Sequence, residues 1–433
     1  MSATATLRAE VTELLQDLSR IDTVNPPGNE TAAAELLREY LESNGVETKL
    51  YAKVPERANL VARIPGRGDG PRLAFLSHTD TVLADAEEGE RDPWSGDLHE
   101  GEVWGRGALD MKGEVAANAV ALASLARDGF EPRGDLILVA AADEEVNVDH
   151  GLSWLCREHP EAVRAEYALN EGGGDRLELG GNAFYLVSTA EKMSAPFMIR
   201  TRGRSGHASM PSIADNALRK ATALVDRIGA YKHPPQHTPE TEAFFRAVTG
   251  DVPPIETALE RAGELHPMFG LYLEALVAPT YAPTMIEASR KRNVIPNVCE
   301  VTVDSRLLPG QTVEDSEAIV RAVLGDAEYE LEWIEAAGGT RSALSTPLWD
   351  VIDEWVRAND PGARPVPLCL AGFTDSHWMR EAFGTVAYGF FPRRAMSAEV
   401  ATLLVHSANE RIPVDDLELA VDFYRRAASS LLA

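Results

Sequence analysis

Apolar residues in the first half of this chain come in short unbroken runs, and each run ends in a polar or acidic cluster. Leu73-Ala74-Phe75-Leu76 leads into Ser77-His78-Thr79-Asp80, the run 136–142 into Asp143-Glu144-Glu145, and Tyr167-Ala168-Leu169 into Asn170-Glu171. Unbroken apolar runs of this length are expected of strands buried on both faces. Between them the Ala-rich stretch 113–127 has helical spacing, so strands at 59–64, 72–76 and 135–141 alternate with helix. That alternation predicts an α/β fold whose mixed, mostly parallel sheet is covered by helices, with chemistry placed beyond the carboxyl ends of the strands.

Past Glu191 the pattern changes. Strands are expected at 197–201, 284–289, 297–307 and 329–334, with helices at 213–228 and 313–323. This β-α-β-β-α-β order predicts a ferredoxin-like unit inserted into the larger domain. Residues 232–283, rich in Pro and His early and helical later, elaborate the insert, and the βα pattern resumes after Gly338. The expected organisation is therefore residues 1–190 with 339–433 as one domain and 191–338 as the insert. A chain of 433 residues exceeds the usual single core, which agrees with two domains. Junctions near Glu191 and Gly338 would allow the insert to move against its base.

Charge narrows the partners. With 41 basic against 68 acidic residues the net charge is -27, which disfavours nucleic-acid and anionic-membrane surfaces. The N-terminal residues lead into an amphipathic helical pattern through Leu14, Leu15 and Leu18 without an apolar leader, and no stretch is long enough to span a bilayer. A cytoplasmic protein is expected. Cys156, Cys299 and Cys369 are too scattered for a disulfide framework or a Cys-based zinc site, and reduced, packed thiols are expected.

The acidic clusters carry the candidate chemistry. His78 and Asp80 are two apart, so they can share a face, the acid or its backbone holding one ring nitrogen while the other meets a metal. Asp110 lies in the Gly-flanked loop Gly105-Arg106-Gly107-Ala108-Leu109-Asp110-Met111-Lys112-Gly113, ahead of a helix. Glycines permit close backbone approach to an ion, and one carboxylate can bridge two cations. A phosphate-cradling loop is the rival, but the glycine spacing matches neither common nucleotide fingerprint. In Asp143-Glu144-Glu145, adjacent carboxylates point in different directions, so one can bind metal while its neighbour serves as general base. Glu171 offers a further carboxylate, and His406, after the apolar run Leu403-Leu404-Val405, is expected at another strand end. Each of these alone matches a surface turn or a satisfied histidine. Together, two His and three carboxylates at strand ends of one sheet make a dinuclear site reasonable. The donor set suits zinc, with cobalt or manganese possible in its place.

The ordered series His78-Thr79-Asp80, the 105–113 loop, Asp143-Glu144-Glu145, Asn170-Glu171-Gly172, Arg204-Ser205-Gly206-His207-Ala208-Ser209 and His406 resembles the M20 family of metallopeptidases, over nearly the whole chain. That family includes carboxypeptidases, aminoacylases, acetylornithine deacetylases and succinyl-diaminopimelate desuccinylases. The resemblance implies a zinc-exopeptidase-like catalytic domain with the insert as lid and dimerisation domain. It further implies two divalent metals, His78 and Glu171 holding one, Glu145 and His406 the other, and Asp110 bridging. Asp80 would orient His78, and Glu144 would be the general base. His207 would reach a neighbouring subunit's site in a homodimer and stabilise the oxyanion. Asn293, Arg306, Gly372 and Thr374 would meet the substrate, Arg306 gripping a carboxylate. Arg290, Lys291 and Arg292 are expected at the surface, and His377 receives no role.

The implied reaction is hydrolysis of an amide or peptide bond next to a free-carboxylate amino acid, by a carboxypeptidase or dipeptidase nearest in look to the carboxypeptidase-S-like branch. An N-acyl-amino-acid amidohydrolase is the alternative, so the substrate is a small peptide or an N-acyl amino acid. A silent metal-binding dimer and a dinuclear phosphoesterase are more distant alternatives. The intact Glu144, ligand set and His207 count against the silent binder.

Overall fold

The computed structural model describes residues 3–265 and 267–433. The chain separates into two compact units. The first comprises the chain up to Thr189 with Ser342–Leu368 and Thr374–Ala433, and the second Ala190–Arg341 with Cys369–Phe373. Cys369–Phe373, and Gly372 with it, group with the second unit rather than with the larger domain expected from sequence. The Lys192 N–H donates to the Leu370 carbonyl (2.9 Å) and ties this segment there.

In the first unit one mixed sheet runs in the order Glu47–Ala52, Ala58–Ile64, Leu136–Ala141, Leu73–His78, Tyr167–Asn170, Val386–Gly389, Asn182–Glu191 and Arg364–Leu370, with Arg176–Leu179 beside Asn182–Glu191. Parallel pairing runs through its centre, from Leu136–Ala141 through Leu73–His78 and Tyr167–Asn170 to Val386–Gly389. Ala58–Ile64, expected as part of the βαβ rhythm, joins Leu136–Ala141 antiparallel instead. The loop of eight residues between Ile64 and Leu73 explains this, because a parallel return needs a crossover of about a dozen residues or more.

The central runs are apolar on both faces because both are covered. Leu73 and Phe75 pack with Val115, Ala116, Ala119 and Val120 of the helix Lys112–Arg127 on one side. Ala74 and Leu76 pack with Ile137, Val139, Leu152, Leu155 and Met379 on the other. Alternate strand residues thus enter different cores, as the two-residue period of a strand requires. Each fully buried Val, Leu or Phe contributes about 1.5–3 kcal/mol, so the strand ends that carry the polar clusters are rigidly held. The Lys112–Arg127 helix is buried from Lys112 to Leu125. Its run of Ala side chains lets the helices Ala3–Ser19 and Val414–Leu431 pack closely against it.

The second unit has strands Phe197–Arg202, Thr280–Glu287, Val298–Leu307 and Glu330–Trp333 and helices Ala217–Ala230 and Val313–Leu324. The four strands are antiparallel and lie in the spatial order fourth, first, third, second, the ferredoxin-like arrangement. Val298–Leu307 alternates, its Cys299, Val301 and Val303 packing against Ala221, Leu224, Ile228 and Val320 of the two helices. Two boundaries depart from the sequence expectation. The first helix begins at Ala217 rather than 213, because the Asn216 side chain accepts from the Leu218 and Arg219 N–H groups and fixes the start there. The second strand begins at Thr280 rather than 284, and it accommodates Pro283, which has no N–H to donate, by a register shift between Pro283 and Met285. Helices Pro239–Thr249, Ile255–Leu265 and Pro267–Leu276 fill the elaborated segment. Among the described residues no helix is long and apolar enough to cross a membrane.

Candidate metal centre

Strands Leu136–Ala141, Leu73–His78 and Tyr167–Asn170 are adjacent and parallel, with His78 paired in register with Ala141. Their carboxyl ends therefore share one edge of the sheet, and Asp143-Glu144-Glu145, His78-Thr79-Asp80 and Glu171 emerge side by side. Two loops complete the group. Asp110 precedes the Lys112–Arg127 helix, and its peptide bond to Met111 is cis. His406 follows the helix Ala398–Leu404 rather than the strand expected for its apolar run, since the Ser397 Oγ accepts from the Val400 N–H and starts a helix there. At φ 62° His406 then turns the chain towards Arg411–Pro413, which pairs with Glu102–Trp104.

The side chains form two triads that share one residue. His78, Asp110 and Glu171 make one and Asp110, Glu145 and His406 the other, with the ligand atoms of each within 4.8 Å of one another. His78 Nε2 lies 3.3 Å from Asp110 Oδ1 and 3.8 Å from Glu171 Oε1. His406 Nε2 lies 3.1 Å from Asp110 Oδ2 and 3.6 Å from Glu145 Oε2. Asp110 thus presents one oxygen to each side. Glu144 belongs to neither triad, yet its Oε2 is 3.9 Å from His78 Nε2.

Asp80 organises this edge. Its main-chain oxygen lies 3.0 Å from His78 Nδ1 and its Oδ1 3.5 Å away, which leaves Nε2 facing the triad. Its carboxylate also accepts the backbone N–H groups of Glu144 and Glu145, both at 3.1 Å. Behind it, Asn25 Nδ2 donates to Asp80 Oδ2 (2.9 Å) and to Asp143 Oδ1 (3.1 Å). Asp143 also accepts from Arg57 Nη2 (3.2 Å) and the His150 N–H (2.9 Å), and Arg57 is paired with buried Glu30. Asp143 is held at φ 66°, a left-handed conformation that Asp tolerates better than most residues. Asn25, Arg57 and Glu30 escaped the sequence reading because nothing in local spacing links them to residues about a hundred positions away. The positive φ of Asp143 has no sequence signal either.

Electrostatics report the density of charge. Burial would lower the His78 pKa, but Asp110 and Asp80 raise it well above its ordinary value. Hydrogen bonding to Asp110 and Glu145 lifts His406 to about 10. Burial, reinforced by neighbouring negative charge, pushes Glu144 and Glu171 up, while against burial His406 and His78 hold Asp110 below the usual carboxylate range. The cluster thus draws positive charge inwards. His78 Nε2, Asp110 Oδ1 and Glu145 Oε1 are buried without hydrogen-bond partners. An unpartnered imidazole nitrogen and carboxylate oxygens are the donor types that divalent cations take.

The remaining predicted site residues lie mostly on the second unit. Strand Gly206–His207 pairs antiparallel with the distant Val294–Ile295, and the Ala208 N–H donates to the Asn293 carbonyl (3.0 Å), so His207 and Asn293, both exposed, are neighbours on a separate two-stranded sheet. Arg306 is forked onto Asp304 of its own strand, at 3.0 and 3.1 Å. In the first unit buried Thr374 accepts the Ser376 N–H at 3.2 Å. Asn170 Nδ2 donates to Ser376 Oγ (3.1 Å), coupling this turn to the strand that ends in Glu171.

A parallel-centred α/β sheet with two His–carboxylate triads sharing an aspartate defines a hydrolase of the dinuclear-metal type. The chain belongs to peptidase family M20/M25/M40, whose sequence profile matches residues 74–430. It is 26% identical to the N-fatty-acyl-amino acid synthase/hydrolase PM20D1 of Xenopus tropicalis, over 96% of this chain and 85% of that protein. It is also 26% identical to a succinyl-diaminopimelate desuccinylase of Cereibacter sphaeroides, over 97% and 98%. In fold it is similar to an M20 family metallo-carboxypeptidase from Sulfolobus solfataricus, with a TM-score of 0.74 at 18% identity over 100% of this chain and 99% of the other. Human carnosine dipeptidase 1 gives 0.71 at 14% identity over 99% and 97%.

Proposed function

We propose that this protein hydrolyses an amide or peptide bond next to an amino acid with a free carboxylate, as a carboxypeptidase or dipeptidase. The observation that carries the proposal is the shared Asp110, with one oxygen towards each His-bearing triad and the non-ligand Glu144 beside them. Two divalent cations, zinc by donor set with cobalt or manganese as substitutes, would be held by His78 and Glu171, by Glu145 and His406, and by Asp110 between them. When bound, they would supply Lewis-acid polarisation of the scissile carbonyl and a lowered pKa for the attacking water.

The chain's own residues do the rest. Glu144 takes a proton from the attacking water on its carboxylate and returns it to the leaving nitrogen. Asp80 keeps His78 in the tautomer that faces the ligand group and holds the Glu144 backbone in place. His207 supplies a donor to the developing oxyanion from the partner subunit, and Asn293, Gly372 and Thr374 line the substrate. Arg306 receives the substrate carboxylate in place of Asp304, an exchange of one bidentate partner for another. The edge strand Thr280–Glu287 leaves Met285 and Ile286 half or more exposed, which supports a homodimer formed through the second unit. A cytoplasmic location is part of the same proposal.

The similarity to PM20D1 and to the desuccinylase favours a second reading, an N-acyl-amino-acid amidohydrolase with the same machinery. Metal stoichiometry, measured together with cleavage of a panel of dipeptides and N-acyl amino acids before and after chelation, separates these. Two metals per chain and chelator-sensitive cleavage are expected, and the better class of substrate decides the branch. A fully metallated protein that cleaves neither class would return the silent binder and the phosphoesterase to consideration.

A further inference from the structure

Arg106 and Glu410 stand within two of the motifs that carry the metal ligands, and the mechanism above uses neither. Both side chains are buried, 4% and 2% exposed. Strand Arg411–Pro413 pairs with Glu102–Trp104, and the Gly105 N–H donates to the Glu410 carbonyl (3.1 Å), so Glu410 is delivered beneath the 105–111 loop. Its Oε1 there accepts the N–H groups of Leu109 and Asp110, both at 2.8 Å. Its Oε2 accepts from Arg106 Nη1 at 2.6 Å, and Arg106 Nη2 donates to the His406 carbonyl at 3.3 Å. A single buried ion pair therefore fastens the loop that carries Asp110 to the loop that carries His406.

We infer that the Arg106–Glu410 pair is a positioning element for one metal of the two, the ion held by Asp110, Glu145 and His406. The inference rests on the dinuclear reading above and deepens it. The two triads differ in what holds them. His78 ends one strand inside the sheet and Glu171 directly follows another. Asp110 and His406 come from loops, and His406, in a left-handed conformation and about half exposed, has its main chain held by Arg106. As long as residue 410 still accepts the Leu109 and Asp110 N–H groups, loosening the ion pair frees His406 through Arg106 while Asp110, His78 and Glu171 keep their places. Groups that orient metal ligands typically change affinity by about 10- to 100-fold when altered, and here the change should fall on one ion.

The test uses the full-length protein stripped of metal and titrated with zinc against a chromophoric chelator. Wild type should take up two ions per chain. Glu410→Gln, which keeps an acceptor for the two amides but loses the charge facing Arg106, should weaken one ion by about 10-fold or more. The other should stay within about twofold, the scatter of uncoupled sites. Arg106→Lys, which keeps charge but lacks the fork that reaches His406, should weaken the same ion and serves as the second variant where Glu410→Gln does not fold. In a His406→Ala background, neither change should alter the affinity of the ion that remains. Equal weakening of both ions, no weakening, or an undiminished effect without His406 would overturn the inference. A wild type that binds fewer than two ions would instead defeat the dinuclear reading.

Discussion

Glu144 lies beside His78 of one triad and is part of neither. Its replacement separates proton transfer from metal binding. Glu144→Gln keeps the size of the side chain and removes the proton acceptor, so kcat should fall by about 100- to 10,000-fold while metal analysis still finds the wild-type content. Turnover near the wild-type level would exclude Glu144 as base. His377 makes a different prediction, in stability. It is buried, its Nδ1 lies 3.1 Å from the Thr374 carbonyl, and burial lowers its pKa from 6.5 to about 4. Because the folded-state pKa is the lower one, the unfolded chain takes up this proton first. The contribution of neutral His377 is fully present above pH 6.5 and is lost as pH falls towards 4, amounting to roughly 3 kcal/mol across that window. His377→Asn keeps a donor for Thr374 and has nothing to protonate, so its thermal midpoint should fall less than wild type between pH 7 and pH 4. Parallel falls in the two proteins would sink the assignment. The two residues differ in what the sequence disclosed. Glu144 was legible as a candidate because it shares a motif with Glu145, whereas the burial of His377 depends on a helix and a strand that pack only in the folded chain.

At the level of elements, the site is a consequence of strand order. Three apolar runs ending in His or carboxylate were visible in the sequence, and their convergence followed once adjacent parallel pairing was assumed. The antiparallel entry of Ala58–Ile64 was signalled only by the short loop that follows it, and the helical approach to His406 was not visible, because a short apolar run fits either helix or strand until its partners are known. Close backbone contacts were equally hidden. Strand Val386–Gly389 pairs with Tyr167–Asn170 so closely that a Cβ on Gly389 would lie 2.0 Å from the Glu171 carbonyl oxygen. Gly389→Ala must therefore push the Glu171 backbone aside. A loss of about 1–3 kcal/mol is expected, read as a lower midpoint in urea, together with weaker binding of the ion assigned to His78 and Glu171. Gly229→Ala, on a helix where an added Cβ meets nothing within 4 Å, should leave the midpoint unchanged or raise it. If Gly389→Ala behaved like Gly229→Ala, the tight pairing would have no bearing on the ligand strand.

For the whole molecule, the division of labour between the two units sets the decisive experiment. Asp110 belongs to the first unit and exposed His207 to the second, on a two-stranded sheet, with its Nδ1 2.7 Å from Ser209 Oγ. If His207 serves the site of a partner subunit, the two residues of one working site come from different chains. Asp110→Ala and His207→Ala should then each be nearly inactive as pure homodimers, the first for want of a bridging ligand and the second for want of an oxyanion donor. Subunit exchange between them produces a mixed dimer in which one site keeps Asp110 and receives an intact His207 from the other chain. With random pairing, half the dimers are mixed and each has one complete site of two, so about a quarter of wild-type activity should return. Action within one chain predicts no recovery, because no chain in the mixture carries both residues. The mixed species must be verified by native mass spectrometry, since two differently tagged variants that never exchange would also show no recovery. A protein that remains monomeric at all concentrations would remove the partner-subunit role outright and leave the second unit to act on its own chain.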